Sequence, residues 1–374
     1  MKRTITLGIV LLLIVGSIWY LESRKADVPA LPEGASSVLV VPTSSDVDVQ
    51  AAIDAKAKQY SLAPELIAGG EWLNSEPLTL SQLRGKVVLL DIWTYSCINC
   101  IRTLPYVTNW WSKYKDAGLV IIGVHTPEFD FEKDPSNVQK AITKYGIEYP
   151  VMQDNNYATW RAYKNQYWPR HYLIDIDGFI REDHIGEGGY AETEEFIQEL
   201  LQEKNERMGE TMDVQKEITT PEGAVTTGQV GTPELYLGAQ TRRHNGGNKE
   251  GYALGTVDYA IPTSFQPNIP YASGTWTNTP ETMDLVSDEG SIYLTYFARN
   301  VNIVAGATPG STIDVYLDGK LVDTTSQGFD AIDGIVALKD QQLYSMVFTA
   351  DSGAHDLELK VHGKGFRIYT FTFG

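Results

Sequence analysis

Two cysteines stand three positions apart in this 374-residue chain, and of all its residues they are the most suited to chemistry. Cys97 and Cys100 form the motif Cys-Ile-Asn-Cys, whose spacing lets both sulfurs meet across one helical turn. A thiol at a helix N-terminus faces unpaired N–H groups and the positive end of the helix dipole, which favour the thiolate. We therefore expect Cys97 to attack a disulfide and Cys100 to resolve the mixed disulfide.

Three other roles for this cysteine pair are open. A structural disulfide would close so short a loop that it constrains the unfolded chain little. A zinc site needs two further ligands, and the six histidines of the chain show no paired ligand spacing. Two buried, inert cysteines are the third alternative. A Cys-x-x-Cys motif between a strand and a helix of an exported chain favours redox use over all three.

The segments around the motif predict the elements that position it. Residues 87–93 form an apolar strand-like run, residues 102–115 form a helix with aromatic side chains at packing spacing, and residues 119–124 form a second buried strand. This order is typical of a parallel β-α-β crossover. Asp91 lies inside the first strand, where burial would suit its carboxyl to act as a base. The alternative is an exposed acid on an edge strand.

The same alternation of strands and helices continues over residues 62–208, which predicts an α/β layer domain. The turn Asp177-Gly178 is a hairpin signal between its last two strands. Further elements are predicted as helices near residues 135–145, 157–164 and 192–204 and as strands at residues 171–176 and 179–185.

The run Leu-Asp-Ile-Trp-Thr-Tyr-Ser-Cys-Ile-Asn-Cys, which ends at Cys100, resembles the active-site strand and turn of the thioredoxin superfamily. Asp91 lies six residues before Cys97, where thioredoxins place a buried acid. Trp93 matches a packing tryptophan, and Pro105 matches the proline of the first active-site helix. The resemblance implies a thioredoxin-like fold in which Asp91 helps to move the proton of the resolving cysteine.

Trp168 and Pro169 resemble the cis-proline loop that lies against the disulfide in thioredoxins. A cis X-Pro bond presents backbone for extended pairing, so the resemblance implies that this loop binds substrate. The motif departs from the family at two places. Asn99 stands where a proline usually precedes the second cysteine, and Ser96 stands where a tryptophan is usual. These differences leave the reduction potential and the direction of electron flow open.

Residues 70–86, 123–129 and 167–175 narrow the resemblance to membrane-associated extracytoplasmic thioredoxins. They are most similar to the soluble redoxin part of DipZ-like proteins, in which a membrane-embedded electron carrier is often joined to the redoxin. These 374 residues include no multi-span segment. The resemblance therefore implies protein disulfide or thiol substrates and a separate membrane electron donor, and the exchange chemistry needs neither a bound cofactor nor a metal.

Four further polar side chains are expected to lie near the motif in the fold. His125 and Glu128 follow the second buried strand and are candidates for assisting proton transfer, with a simple polar loop pair as the alternative. Arg102 and Arg170 would lie beside the disulfide, with plain solvation as the alternative.

An apolar segment at residues 4–21, preceded by Lys2 and Arg3, predicts export. As a helix it would span about 27 Å, so residues 1–25 are interpreted as a membrane anchor, with a cleaved signal peptide as the alternative. Residues 26–61 predict a linker. We expect extracytoplasmic domains, anchored by a single span or secreted or periplasmic after cleavage. The formal net charge of −18 opposes nucleic-acid binding.

After a polar linker at residues 209–228, residues 229–374 change to short strands of period-two alternation. This pattern predicts an antiparallel sandwich, and it resembles the carbohydrate-binding-module-like jelly roll of DipZ-like proteins. Trp276, Tyr271 and Tyr252 are candidates for stacking on a glycan, and core packing is their alternative. A scaffold or substrate-presenting role is the other hypothesis for this domain.

The predicted fold is an α/β thioredoxin-like domain followed by an all-β jelly-roll sandwich domain, with an N-terminal membrane helix. The predicted activity is exchange or reduction of protein disulfides outside the cytoplasm. One alternative is a peroxiredoxin-like thiol peroxidase, because Thr94 lies three residues before Cys97, although Leu90 stands where that family has a proline. The other alternative is a cell-surface glycan-binding protein with an inert redoxin domain.

Overall fold

The computed structural model describes residues 44–225, 227–242, 246–261 and 263–374, with side chains from residue 49 onward. Residues Ile53–Gly374 form one compact unit. The predicted membrane segment at residues 4–21 and half of the predicted linker, residues 26–43, lie outside the described residues. Within the ranges described, no helix combines the length and the apolar character that crossing a membrane would require.

The α/β region is built on one six-stranded sheet. Its strand order is β1-β4-β3-β2-β5-β6, with β2, β3 and β4 parallel and the other neighbours antiparallel. The predicted β-α-β crossover is therefore present. The strands are β1 (Trp72–Leu73), β2 (Val87–Trp93), β3 (Leu119–His125), β4 (Val151–Gln153), β5 (Arg170–Ile174) and β6 (Ile180–Ile185).

The central strand β2 explains where the chemistry lies. All seven of its residues are buried, as expected for a strand covered on both faces. Because side chains alternate along a strand, Val87, Leu89 and Trp93 pack in one core, whereas Val88 and its even-numbered neighbours pack in another. Asp91 is odd-numbered, like Val87, Leu89 and Trp93. It therefore points to the face that also holds both cysteines.

The helices begin and end at different residues from those predicted. The active-site helix begins at Ile98 rather than Arg102, because the Cys97 side chain accepts the backbone N–H of Cys100 and caps it. The closing helix continues to Met208, where Gly209 adopts a left-handed conformation (φ 65°) that ends it. The helices are α1 (Ser44–Lys56), α2 (Ile98–Tyr114), α3 (Pro135–Lys144), α4 (Ala158–Ala162) and α5 (Tyr190–Met208), with a 3-10 turn at Asp130–Lys133.

The second half of the chain is a large antiparallel β domain, formed by strands β7 to β17 in one eleven-stranded sheet. Its strands are longer than the short ones predicted: the period-two runs at residues 342–348 and 355–361 belong to one continuous strand, β16. The jelly-roll class remains a prediction. The strands are β7 (Leu235–Tyr236), β8 (Gly255–Tyr259), β9 (Tyr271–Asn278), β10 (Met283–Leu285), β11 (Glu289–Gly306), β12 (Thr312–Leu317), β13 (Lys320–Leu321), β14 (Ala331–Ile332), β15 (Ile335–Ala337), β16 (Gln342–His362) and β17 (Arg367–Phe373).

The dipeptide Asp318-Gly319 forms a hairpin turn that joins β12 to β13. Both turn residues have positive φ, 53° at Asp318 and 76° at Gly319. Two consecutive positive φ values are typical of the turn whose twist matches that of a tight hairpin, and Asp-Gly suits it.

Candidate redox site

The two cysteines lie at the junction between β2 and α2. The Sγ of Cys97 accepts the backbone N–H of Cys100 at 3.4 Å, and both cysteines are free thiols. Cys97 retains 8% of its surface exposed and Cys100 only 1%. The more accessible sulfur is thus at the helix N-terminus, and the second sulfur is more deeply buried.

The environment of Cys100 opposes its ionisation. Burial raises the pKa of the Cys100 thiol well above its usual value, and the hydrogen bond and charge of Cys97 raise it further. The negative charge of Asp91 acts in the same direction. Near neutral pH, a thiolate at Cys100 is therefore strongly disfavoured unless a base takes its proton.

Asp91 is fully enclosed, with 1% of its surface exposed. Its Oδ1 lies 3.3 Å from Nε2 of His171, the residue directly opposite it on β5. The two atoms are close, but they are not aligned for a hydrogen bond. Oδ1 therefore has no hydrogen-bond donor among the described residues. A buried carboxyl with so few donors is suited to accepting a proton, and its role as a base remains a prediction.

The Trp168–Pro169 peptide bond is cis, and the carbonyl oxygen of Trp168 lies 4.0 Å from the Sγ of Cys97. The indole N–H of Trp168 donates to the carbonyl of Thr126 at 3.1 Å. The ring also packs on Trp160, with 4.2 Å between ring centroids. These contacts hold the loop against the first cysteine, where the sequence placed a substrate-binding segment.

Comparisons with known proteins agree with this geometry. Residues 50–183 match the AhpC/TSA family, and residues 232–374 match the family described as thioredoxin like C-terminal domain. The chain is 32% identical over 141 residues to the thiol-disulfide oxidoreductase YkuV of Bacillus subtilis, of which it covers 94%. This chain belongs to the thioredoxin-like thiol-disulfide oxidoreductases.

Two further relatives share sequence similarity with this chain. It is 30% identical over 128 residues to the thiol-disulfide oxidoreductase ResA of Bacillus thuringiensis, of which it covers 71%. It is 38% identical over 323 residues to protein DipZ of Mycobacterium tuberculosis. That match takes in 86% of the chain but only 44% of DipZ, so the chain spans less than half the length of this relative.

Glu132 is a functional-site residue that sequence reasoning missed. It is fully buried, and its carboxylate accepts a hydrogen bond from the Ser96 hydroxyl at 2.5 Å. It also accepts the backbone N–H groups of Glu128 at 2.5 Å and Phe129 at 3.0 Å. Burial raises the pKa of Glu132, while these donors act in the opposite direction. The only signal in the sequence was the serine that replaces the usual tryptophan before the first cysteine.

His125 lies buried at the end of β3, beside the turn that precedes Cys97. His125 is the last residue of β3 and fully buried, so it does not belong to a polar loop pair. Burial lowers its pKa to about 3, which keeps the ring neutral. Its Nε2 lies 3.4 Å from the Thr94 hydroxyl, and its ring stacks on Tyr95. Both contacts are with the turn that precedes Cys97.

The two candidate arginines are paired rather than simply solvated. Arg102 is buried and forms a two-pronged contact with Glu187, at 2.7 and 2.9 Å, and it donates to Asn99 at 2.7 Å. Arg170 pairs with Asp183 on the neighbouring strand. Arg102 thus lies beside the cysteine motif, because Asn99 belongs to it.

The β domain packs against the redox site. The Tyr236 hydroxyl donates to the Glu128 carboxylate. The Tyr369 ring lies 4.8 Å from Phe129 and 4.9 Å from Phe131, centroid to centroid. Tyr369 belongs to the same apolar cluster as both cysteines. The segment after β3 therefore contacts the active-site turn on one side and the β domain on the other.

The glycan-stacking candidates are mostly core residues. Trp276 and Tyr271 are buried in the β domain, which leaves neither an open ring face for a sugar. Tyr252 is partly buried, donates to Asn248 at 2.6 Å and lies under the guanidinium of Arg242. Core packing, the alternative for these aromatics, is thus the correct one for Trp276 and Tyr271.

The described residues include one cluster of carboxylates close enough to hold a cation, formed by Asp175, Asp177 and Glu203. The ammonium group of Lys56 lies at its centre, 2.7 Å from Asp175, 2.7 Å from Asp177 and 2.5 Å from Glu203. Arg181 and Arg207 pair with the same carboxylates. Side-chain cations therefore neutralise this cluster, which anchors α1 to the sheet.

Proposed function

We propose that this protein exchanges or reduces protein disulfides through a Cys97/Cys100 dithiol. The observation that carries the proposal is the placement of the two sulfurs. Cys97 caps a helix N-terminus and is partly accessible, whereas Cys100 is buried beneath it on the face that holds Asp91. Such an arrangement separates an attacking thiol from a resolving thiol.

The reaction begins when the Cys97 thiolate attacks one sulfur of a substrate disulfide. A mixed disulfide forms, and the other substrate sulfur leaves as a thiolate. Asp91 then takes the proton of Cys100, whose sulfur attacks Cys97 and releases the second substrate thiolate. The protein dithiol is oxidised to a disulfide, and the substrate disulfide is reduced by two electrons to two thiols.

The substrate is held by backbone beside Cys97. The carbonyl of Trp168 is close to the Cys97 sulfur, and Pro169 continues into β5. An extended segment of a partner protein would pair with this backbone, which suits many protein substrates because it does not require one side chain.

We place this activity outside the cytoplasm, on domains anchored by residues 4–21, with a separate membrane protein as electron donor. The apolar segment with its basic flank and the similarity to protein DipZ support this assignment. A protease added to intact cells should digest the domains of the full-length protein. When residues 1–25 are removed, the domains should stay inside the cell and remain undigested. Protection of the full-length protein in intact cells would contradict the location.

The central test traps the mixed disulfide. Cys100→Ser leaves the attacking thiol but removes the resolving one, so it should accumulate covalent complexes with protein partners that a reductant dissolves. Cys97→Ser is the matched control and should trap none. The wild-type pair should also cycle between dithiol and disulfide in a glutathione redox titration. A Cys100→Ser variant that traps nothing, together with a wild-type pair that does not cycle, would refute the proposal.

A thiol peroxidase is the second candidate, favoured by the match of residues 50–183 to the AhpC/TSA family and by Thr94 before Cys97. A peroxidase needs only the attacking thiol for its first step. Consumption of hydrogen peroxide that survives Cys100→Ser would favour the peroxidase. If Cys100→Ser no longer consumes hydrogen peroxide but still traps protein partners, the result would favour disulfide exchange.

A further inference from the structure

Three titratable side chains lie in one row across neighbouring strands of the α/β sheet. Asp91 on β2 is directly opposite His171 on β5, and His171 is directly opposite His184 on β6. All three therefore project from the same face of the sheet. We call Asp91, His171 and His184 the proton row.

The spacing within the proton row is short. Nε2 of His171 lies 3.3 Å from Oδ1 of Asp91. The rings of His171 and His184 are 6.4 Å apart between centroids and 28° from parallel. His171 is 1% exposed, and neither of its ring nitrogens has a hydrogen-bond partner among the described residues. Neither nitrogen of this imidazole is therefore committed to a fixed donor or acceptor.

The row leads from the buried site to the surface. Asp91 and His171 are enclosed, whereas the His184 side chain is only partly buried, although its Nε2 is covered and has no hydrogen-bond partner among the described residues. Burial and the nearby His171 both lower the pKa of His184, so its ring is mostly neutral near pH 7 and readily releases a proton that it receives.

The second step of exchange requires a path by which the proton of Cys100 leaves the buried site. Cys97 is the more accessible of the two sulfurs, and the bound substrate covers it during the second step. The proton of Cys100 must then leave Asp91 in another direction. The α2 side is closed, because the Trp110 ring packs edge-on against His171 at 5.8 Å.

We propose that His171 and His184 carry the Cys100 proton from Asp91 to solvent during the second step of exchange. This inference rests on the proposed function. His171 takes the proton from the Asp91 carboxyl, turns, and passes it to His184, which releases it at the surface. The row returns to its starting protonation once per disulfide reduced, and no electrons pass through it.

Other titratable groups also face the row. Glu182 lies beside His171 on β6, and Tyr149 and Cys100 lie near Asp91. Asp183 on its own strand and Glu192 on α5 act on His184 through their negative charge, and a backbone hydrogen bond at Glu187 acts in the same direction. All three effects favour a proton on His184.

The test measures the two steps of exchange separately. A reduced protein mixed with one equivalent of dithiobis(nitrobenzoate) releases one coloured thiolate when Cys97 attacks and a second when Cys100 resolves. His184→Ala should leave the first step unchanged and slow the second by about tenfold near pH 7, a part of the roughly 10²–10⁴-fold that positioned proton transfer supplies. His171→Gln should slow the second step at least as much.

Chemical rescue separates a proton carrier from a packing residue. Imidazole in the buffer should restore most of the second-step rate of His184→Ala, whereas a buffer of equal ionic strength that does not titrate near neutrality should not. His355→Gln, at a partly exposed histidine of the β domain, is the matched control and should change neither step.

Two results would overturn the inference. One is a second step that keeps its rate and pH profile in His184→Ala. The other is an equal slowing of both steps that imidazole does not relieve, which indicates only a structural role. If no mixed disulfide forms even in the Cys100→Ser protein, the proposed function itself fails, so the two failures are distinguishable. If the buried His171→Gln variant does not fold, the measurements on His184→Ala alone decide the test.

Discussion

Two buried carboxyl groups flank the cysteine turn, and they differ in how many hydrogen-bond donors they receive. Asp91 lies below the sulfurs with one oxygen that has no partner in the described part of the chain. Glu132 lies beside the turn and accepts from Ser96 and from two backbone N–H groups. Burial is almost the same for both, so the donors make the difference.

The comparison separates chemistry from architecture. A carboxylate saturated with donors stabilises the structure around it, because every donor would be left unsatisfied without it. A carboxyl with few donors contributes little to stability, but it can change protonation at low cost to its neighbours. We therefore expect substitutions at Asp91 to affect rate and substitutions at Glu132 to affect stability.

The largest effect is expected for Asp91→Asn. Without a base for Cys100, the second step of exchange should slow by roughly 10²–10³-fold near neutral pH. Because the Cys100 pKa is raised, the remaining rate should increase steeply with pH as its thiolate forms. The two-step thiolate assay measures both effects.

The same variant should not lose stability. Removing a buried, poorly paired charge should raise the free energy of unfolding by about 1 kcal/mol, measured by denaturant titration. A large loss of stability together with an unchanged second step would reverse the roles assigned to the two carboxyls.

Glu132→Gln should have the opposite profile. Glutamine offers one acceptor oxygen and brings two amide N–H groups among the donors, so we expect a loss of about 3 kcal/mol in unfolding free energy. Glu148→Gln, at an exposed acid of the same domain, is the control and should change stability by less than about 0.5 kcal/mol. A second step slowed far more than the first would count against a structural role for Glu132.

Ser96→Ala removes one of the donors to Glu132. The cost should be about 1.5 kcal/mol, since one charge-assisted hydrogen bond is lost while the backbone donors remain. Combined with Glu132→Gln, its effect should be smaller than additive because the two residues share one contact. Full additivity in thermal or denaturant unfolding would show that the pair is not coupled.

The smallest effect is expected for Tyr236→Phe, which tests the link from Glu132 through the segment after β3 to the β domain. Loss of the hydroxyl bond to Glu128 should lower the unfolding free energy by about 1 kcal/mol. The rates of both exchange steps should stay within about twofold of wild type. A larger change in the first step than in stability would show that the β domain acts on the attacking thiol.

Much of the site was predictable because it is local in the chain. The apolar run of β2, the motif that follows it and the cis-proline segment each carry their own signal, and β2 places them on one sheet. Period-two alternation even fixes Asp91 on the face of Leu89 and Trp93. The hairpin at Asp318 and Gly319 is local in the same sense.

Other features depend on contacts between residues far apart in the chain. Glu132 meets Ser96 across 36 positions, and His184 aligns with Asp91 only through the register of β5 between them. The predicted helix start at Arg102 was wrong because a cysteine cap is not a usual signal. Burial likewise decided that Trp276 and Tyr271 belong to the core.

The sequence by itself determined the chemistry: two thiols at exchange spacing, an acid in the preceding strand and a proline loop to face them. The tertiary structure alone decided which carboxyl is saturated, which histidines align with Asp91 and which face the β domain covers. The physical reason is that hydrogen-bond saturation and burial depend on strand register and domain packing, and these join residues that no local pattern connects.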